Sequence, residues 1–198
     1  MKIALIIAIV LIIIVFVSQL FISMSTNKTE QQQFKLIKEY GEFEIRLYPA
    51  STVATINSNA KTYKDLASPG FRKLAGYIFG GNEANKSISM TAPVHMDIND
   101  TLSTMSFVMP SNYTEENLPK PNDKNVKIKI RPEEYIAVLK FGGYASDEEL
   151  KEKSEKLFDL LKENKITTLG NYRFLGYTPP YQFVDRRNEI AVTIEWHQ

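Results

Sequence analysis

The chain has 198 residues, of which 43% are hydrophobic and 24% charged, and its formal net charge is +1. This balance is typical of a globular protein and supplies no basic field for binding nucleic acid. The sequence contains no cysteine, which excludes disulfides, thiolate zinc sites, iron–sulfur clusters and thiol nucleophiles. The length suits one membrane segment and one domain of ordinary size.

The first 23 residues are predicted to lie outside the fold as a membrane segment. Ile3–Ile22 is an almost unbroken apolar run of 20 residues, the length that spans about 30 Å of hydrocarbon as a helix. Lys2 precedes the run, which predicts a single-pass anchor with the domain outside the cytoplasm. A cleaved signal peptide is the alternative, although this run exceeds the roughly 7–15 apolar residues usual there. Residues 24–33 are polar and are predicted to form a tether.

After the tether, β-forming residues separated by turn residues predict three strands. These are Phe34–Tyr40, Phe43–Tyr48 and Thr52–Ile56. A helix is predicted over Pro69–Phe79, because Ser68 is a good N-cap and Gly80-Gly81 ends the apolar period. Two further strands and a proline-rich loop complete this half, namely Ile88–Ile98, Met105–Met109 and Pro110–Lys124.

The second half repeats the order of the first. A shift of 83 residues lays Ile45–Pro49 on 128–132 and Val53–Ile56 on 136–139. The second helix is predicted to begin after Ser146, an N-cap with Glu149 at the capping-box position. Its apolar stripe consists of Leu150, Leu157, Leu160 and Leu161. Three more residues of shift place Thr91-Ala92-Pro93 on Tyr177-Thr178-Pro179, which predicts that these two segments are equivalent.

The expected fold class is therefore α+β. Two β-β-α-β-β halves, related by a pseudo-twofold axis, would join their strands into one curved antiparallel sheet or barrel with two flanking helices. A cleft between the halves, or between a helix and the sheet, is the natural place for a ligand.

Five ordered motifs carry a resemblance to a known family. They are Tyr77 to Gly80, Met90 to Val94, Gly142-Gly143-Tyr144, Tyr177 to Pro180, and Arg186-Arg187-Asn188-Glu189. Together they resemble the SOUL haem-binding protein family over residues 34–198. The resemblance implies a duplicated α+β barrel related to the GyrI-like effector-binding fold. It also implies that haem or another tetrapyrrole binds in an apolar groove on the first helix, with basic side chains near the propionates and no fixed iron ligand.

The candidate ligand-binding residues come from the first helix, its following strand and the last loop. They are Phe71, Arg72, Leu74, Ala75, Ile78, Met90, Tyr177, Tyr181, Arg186 and Arg187. Aromatic residues such as Phe79 suit either a flat pocket or an ordinary core. A bidentate guanidinium at Arg186 or Arg187 suits a propionate, and it suits equally a structural tie to Glu189 or to backbone carbonyls.

Of the two histidines, His197 is the penultimate residue and is set aside, and His95 is considered as a metal ligand. Strand alternation places His95 on a polar face, away from Met90 and Met96, which predicts a solvent-facing or hydrogen-bonded imidazole and no metal site.

Glu133 and Glu134 are adjacent on a strand, so their carboxylates are predicted to point to opposite faces. Catalytic sequence motifs are absent. The sequence predicts a non-enzymatic tetrapyrrole-binding protein, with haem a possible but not obligatory ligand. Binding of other hydrophobic ligands or a partner protein, or small-molecule hydrolysis on the GyrI-like fold, are the alternatives.

Overall fold

The computed structural model describes residues 2–197. Helix α1, Lys2–Asn27, is apolar on all sides and almost entirely exposed. Among the described residues it is the one helix long and apolar enough to cross a membrane, with a mean hydropathy of 3.3 over its most apolar window. An N-terminal helix of this kind is typical of both a membrane anchor and a signal sequence.

The remaining elements follow the predicted order with corrected ends. The helices are α2, Tyr63–Ile78, and α3, Asp147–Glu163. The strands of the first half are β1 Glu30–Gln31, β2 Lys35–Glu39, β3 Glu44–Tyr48, β4 Ser51–Ser58, β5 Thr91–Ala92, β6 Val94–Asp97 and β7 Ser103–Val108. Those of the second half are β8 Lys127–Arg131, β9 Glu134–Phe141, β10 Thr168–Gly176 and β11 Asn188–Ile194.

Nine of these strands form one antiparallel sheet in the order β2-β3-β9-β11-β10-β6-β7-β4-β8. From β3 to β8 the order is symmetric about the β10–β6 pair, so each strand of one half has its counterpart in the other. The register repeats as well: Ile45 pairs with Ala137, and Ile128 pairs with Ala54. The 83-residue shift turns position 45 into 128 and position 54 into 137, so the two pairs are equivalent. The fold class predicted from the sequence, a duplicated α+β half-barrel with two flanking helices, is confirmed.

Helix α2 begins six residues earlier than predicted. Thr62, not Ser68, is its N-cap, and the Thr62 Oγ1 atom accepts a hydrogen bond from the Asp65 amide at 3.1 Å. Pro69 lies inside the helix on its exposed side, where it removes one backbone hydrogen bond. The additional turns bury Leu66 in the core, which offsets that loss.

The predicted strand Ile88–Ile98 is divided, and the equivalence drawn from it is wrong. Pro93 separates β5 from β6 because it has no N–H group to donate to the ladder. The segment 91–93 precedes β6, whereas 177–179 follows β10. Since β6 pairs with β10, with Val94 opposite Gly176, the two segments lie at the same end of this strand pair and are not counterparts.

Part of the predicted tether is paired with the domain. Strand β1 runs parallel to β5, with Glu30 opposite Thr91 and Gln31 opposite Ala92. The backbone N–H of Gln32 donates a hydrogen bond to the Ala92 carbonyl at 2.8 Å. Residues 30–32 therefore cover one side of the sheet, which changes the environment of the side chains beneath them.

The two faces of the sheet are packed differently. Helices α2 and α3 cover one face and form the main core with inward residues such as Ala137 and Leu139 of β9. The intervening residues, Ile136 and Val138, point to the other face. There they join a smaller apolar cluster with Tyr48, Ala92, Leu175, Tyr177 and Ala191. We call this second side of the sheet the distal face.

Candidate functional site

The solvent side of α2 carries an unusual amount of apolar surface. Phe71 is 37% exposed and Phe79 is 67% exposed. Residues 71, 75 and 79 are four apart and so form one stripe along the helix, with 72 and 76 beside it. We call this stripe, made of Phe71, Arg72, Ala75, Gly76 and Phe79, the outer face of α2.

The outer face is open at Gly76. A Cβ atom built on Gly76 would meet no atom within 4 Å, so the helix surface beside the stripe is uncovered at this position. The Phe71 ring lies 5.2 Å from the Phe107 ring, centroid to centroid, and is held by that contact. The exposed Arg72 makes no hydrogen bond or ion pair within residues 2–197. The outer face of α2 thus combines two exposed aromatic rings with an arginine that has no hydrogen-bond or ion-pair partner among the described residues.

The structure places only some of the predicted α2 residues on this face. Phe71 and Arg72 are exposed there, whereas Ala75, which lies between Phe71 and Phe79 in the stripe, is buried. Leu74 and Ile78 are fully buried core residues. Met90 is half-buried and packs against the same core.

Tyr177 and Arg187 lie on the distal face, within a cluster centred on the buried Glu189. Arg46 pairs with Glu189 at 2.9 Å, and neither side chain has any exposed surface. Arg187 pairs with Glu189 at 2.7 Å, its guanidinium lies 3.8 Å from the centroid of the Tyr177 ring, and the Tyr177 hydroxyl donates to Glu189 at 3.0 Å. Burial would lower the pKa of Arg46, but the hydrogen bonds and charge of Glu189 outweigh it and raise this pKa. Arg187 therefore makes the structural tie to Glu189 that the sequence analysis gave as the alternative to propionate binding.

Arg186 also ties the loop to the rest of the fold. Its guanidinium donates to the carbonyls of Gly143, Pro179 and Gln182 at 3.1, 2.8 and 2.5 Å. It also lies over the Tyr144 ring at 4.2 Å. Tyr181, in the same loop, is 63% exposed. The ten predicted residues thus occupy α2 with its neighbouring core, the distal face and the last loop, and the structure does not assemble them into one pocket.

His95 is buried and hydrogen-bonded, so the hydrogen-bonded alternative of the prediction is observed and the solvent-facing one is wrong. It is 1% exposed, with Nε2 2.8 Å from Gln32 Oε1 and Nδ1 2.5 Å from Arg131 Nη1. Because an arginine can only donate, Nδ1 accepts and Nε2 carries the proton. Burial lowers the pKa of His95 well below 6.5, and the charges of Arg131 and Arg173 lower it further. Both ring nitrogens are engaged, so neither is available to a metal.

A polar cluster that the sequence did not predict surrounds His95 on the distal face. Arg173 binds both Glu134 oxygens, at 2.7 and 3.2 Å, and one Asp97 oxygen at 3.0 Å. Burial would raise the pKa of Glu134, but the hydrogen bond and charge of Arg173 outweigh it, and the pKa is lowered. Burial, with the nearby charge of Arg173, lowers the pKa of Arg131 to about 10. Within residues 2–197, no cluster of three or more His, Cys, Asp or Glu side chains is arranged to hold a metal ion.

A shallow depression elsewhere is smaller than an ordinary ligand pocket. Its volume is about 220 Å³, against roughly 300–1,000 Å³ for typical small-molecule sites. It is lined by Gln33, Phe34, Lys35, Leu47, Pro49 and Glu133. A ligand of tetrapyrrole size does not fit within this depression.

Comparison with solved structures identifies the fold. The C-terminal domain of EcmrR aligns with a TM-score of 0.59 and 12% identity over 78% of this chain and 98% of that one. A hydrolase from Listeria innocua aligns with a TM-score of 0.53 and 8% identity over 87% of this chain and 97% of that one. At such low identity the similarity concerns the fold alone.

Comparison of sequences identifies the family. Heme-binding protein 2 of Mus musculus is 32% identical over 159 residues, which are 76% of this chain and 77% of that protein. Heme-binding protein 1 of Xenopus laevis is 28% identical over 172 residues, which are 81% and 90% of the two chains. The family described as SOUL heme-binding protein matches residues 29–193. With this match over most of its length, the chain belongs to the SOUL heme-binding protein family.

Proposed function

We propose that this protein binds haem or another tetrapyrrole, without catalysing a reaction, on the outer face of α2. The observation that carries the proposal is the pair of exposed rings, Phe71 and Phe79, beside the unpaired Arg72 in a member of a family whose curated relatives are named heme-binding proteins. The exposed aromatic surface would lie against the macrocycle, and the guanidinium would bind a propionate with its planar fork. The bound group would supply its own iron chemistry, while the chain supplies a hydrophobic surface and a cation.

Binding through the macrocycle rather than the iron follows from the state of the ligating side chains. Both His95 nitrogens are hydrogen-bonded, and Met96, Met105 and Met109 are buried in the core. We therefore expect metal-free protoporphyrin IX to bind within about tenfold of hemin, a difference under ~1.4 kcal/mol.

The buried carboxylates support a binding role over hydrolysis. Glu189 is held by Arg46 and Arg187, and Glu134 by Arg173. A carboxylate that accepts several charge-assisted hydrogen bonds is a poor general acid or base at neutral pH.

Helix α1 is proposed to anchor the protein in a membrane, with the domain outside the cytoplasm. Its apolar side chains are exposed along most of its length, and Lys2 precedes the apolar run. Resistance to extraction by alkaline carbonate, together with cleavage of the domain by protease added to intact cells, would support this. A mature N-terminus near Ser25 would instead identify a cleaved signal peptide.

A hemin titration of the full-length protein in mild detergent tests the site. We expect a saturable 1:1 change in the Soret band, and at least tenfold weaker binding for Phe79→Ser. Leu169→Ser is the matched control, because Leu169 is an exposed apolar residue on β10, away from the outer face. If both variants bind hemin equally, the location is wrong. If the wild type binds no tighter than a non-specific control protein, tetrapyrrole binding is wrong, and the alternative of another hydrophobic ligand or a partner protein takes its place.

A further inference from the structure

Gln19 is a buried polar residue in the apolar helix α1. Its Nε2 atom donates to the Tyr181 carbonyl at 3.2 Å, and its Oε1 atom accepts from the Phe183 amide at 3.0 Å. Both ends of the side-chain amide are therefore satisfied by the backbone of one loop, residues 179–184. An unpaired amide in an apolar surrounding is costly, so these contacts fix the loop beside this turn of the helix.

The 179–184 loop has a second contact with α1 and is also held by its own residues and flank. Thr26 donates to Gln182 Oε1 at 2.8 Å, and Gln182 Nε2 donates to the Val184 carbonyl at 2.9 Å. Arg186 donates to the Pro179 carbonyl at 2.8 Å. The loop backbone is thus bonded to α1 and to its own flanks, and its position relative to the helix is defined.

The side chains of this fixed loop remain apolar and exposed. Tyr181 is 63% exposed, Phe183 is 53% exposed, and Val184 is also exposed. Exposed aromatic and aliphatic residues grouped on one short loop mark a contact surface.

The contact with Gln19 determines what this surface meets. Gln19 lies three residues before the end of the apolar run at Ile22, which is about 4.5 Å along a helix. If the run spans the hydrocarbon, the loop is level with the boundary between acyl chains and headgroups. Tyrosine and other aromatic side chains favour that boundary, because a ring can enter the apolar side while its polar group stays hydrated.

We propose that the 179–184 loop is a membrane-contact loop, whose Tyr181, Phe183 and Val184 side chains insert into the lipid interface next to the point where α1 leaves the bilayer. The inference rests on the anchoring role proposed for α1. It adds that the domain is not suspended on a free tether but is held against the lipid surface by the Gln19 contacts. The occupant of this apolar surface is lipid, not a partner protein.

The absence of cysteine from the sequence makes site-specific depth measurement direct. Three single-cysteine variants of the full-length protein, Val184→Cys, Ile13→Cys and Lys162→Cys, would each carry an environment-sensitive NBD fluorophore. They would be reconstituted in two sets of phosphatidylcholine vesicles, one containing lipid with a nitroxide close to the headgroup and the other containing lipid with a nitroxide deep in the acyl chain. Ile13 lies within the apolar run, and Lys162 lies in the exposed last turn of α3.

We expect quenching by the headgroup nitroxide to be at least twofold stronger at position 184 than at 162. Strong quenching at 13 by the acyl-chain nitroxide, with equal, weak quenching at 184 and 162 by the headgroup nitroxide, would overturn the membrane-contact loop and leave the anchor intact. Absence of quenching at 13 by the acyl-chain nitroxide would overturn the anchor, and the inference with it.

A second variant tests the part played by Gln19. Gln19→Leu makes α1 more apolar, so the helix should insert as before, but it removes both hydrogen bonds to the loop. We expect quenching at position 184 to fall at least by half in this background while quenching at 13 is unchanged. Unchanged quenching at 184 would refute the role of Gln19 in holding the loop.

Discussion

Lowering the pH from 7.5 to 5.0 should destabilise the wild-type fold more than it destabilises a His95→Gln variant. His95 is buried between the guanidinium groups of Arg131 and Arg173, and its pKa is lowered by burial first and then by these two charges. The nearby carboxylates of Asp97 and Glu134 are themselves paired with Arg173. The folded state therefore keeps the imidazole neutral, while the unfolded chain protonates it.

The size of the effect follows from the unfolded state alone. An unfolded histidine has a pKa of about 6.5, so at pH 5.0 the unfolded chain binds a proton that the folded protein does not. The contribution of the neutral His95 to the free energy of unfolding is fully present above the pKa of the unfolded histidine. It is lost as the pH falls from that pKa to the pKa of His95 in the folded protein. Over about 1.5 pH units, at ~1.36 kcal/mol per unit, the loss is roughly 2 kcal/mol. Glu134, whose pKa is lowered, contributes mainly below about pH 4.5 and is common to both proteins.

Urea denaturation of the full-length protein in non-ionic detergent measures this difference. Trp196 is the only tryptophan and packs against the core, so its fluorescence reports unfolding. The free energy of unfolding would be measured at pH 7.5, 6.0 and 5.0 for both proteins. A loss between pH 7.5 and 5.0 that is the same for wild type and His95→Gln would refute the reasoning, since it would mean that the folded protein protonates His95.

Three further outcomes are expected. His95→Ala should lower the free energy of unfolding by about 1–3 kcal/mol, because its buried polar partners lose their hydrogen bonds. The same variant should change hemin affinity less than tenfold. Loss of the Soret change while the variant remains folded would show that His95 is an iron ligand. Glu189→Ala should cost about 3 kcal/mol, because it removes the fully buried partner of Arg46 and leaves that arginine only its ion pair with the partly exposed Glu44. Lys156→Ala, which breaks the exposed pair with Glu42, should cost no more than about 1 kcal/mol. Equal urea midpoints for the two variants would contradict this. Gly76→Ala should stabilise the protein by about 0.5–1 kcal/mol, because the added methyl meets open space in a helix; a lower midpoint would show that the outer face of α2 is not open.

The repeat and the second helix were predictable because their signals are local or periodic. The 83-residue shift reappears as equivalent pairing of Ile45 with Ala137 and of Ile128 with Ala54. Ser146 is the N-cap of α3, and its hydroxyl accepts from the Glu149 amide at 3.1 Å. Such features depend on residues a few positions apart, or on the same pattern occurring twice.

The environment of His95 was not predictable in the same way. Strand alternation correctly separated His95 from Met96, but it could not indicate that both sides of the strand are covered. The covering groups, Gln32 and Arg131, come from distant parts of the chain. A polar face can be buried when its charges neutralise one another, and that pairing is invisible in a single strand.

The candidate site was predicted in part. Helical periodicity at 100° per residue separates Arg72 from Leu74 and Ile78, but it places Phe71 within about 60° of both. The exposed fraction of Phe71 therefore depends on which neighbouring side chains, such as Phe107, cover the helix, and the sequence period does not give it. The contacts of Arg186 with backbone carbonyls depend on the course of the loop. The sequence could therefore offer them only as an alternative to propionate binding.

The exchange of strands between the halves has a consequence for the origin and assembly of the fold. Strand β3 pairs with β9, and β8 pairs with β4, so each half contributes one strand to the edge of the other. A single half made alone would leave one edge of β4 or β9 vacant, and the equivalent strand of a second copy could fill it. The duplicated chain is in this respect a covalently joined form of a strand-exchanged homodimer. Because the joining pairs lie far apart in sequence, the sheet closes only after both halves have been synthesised.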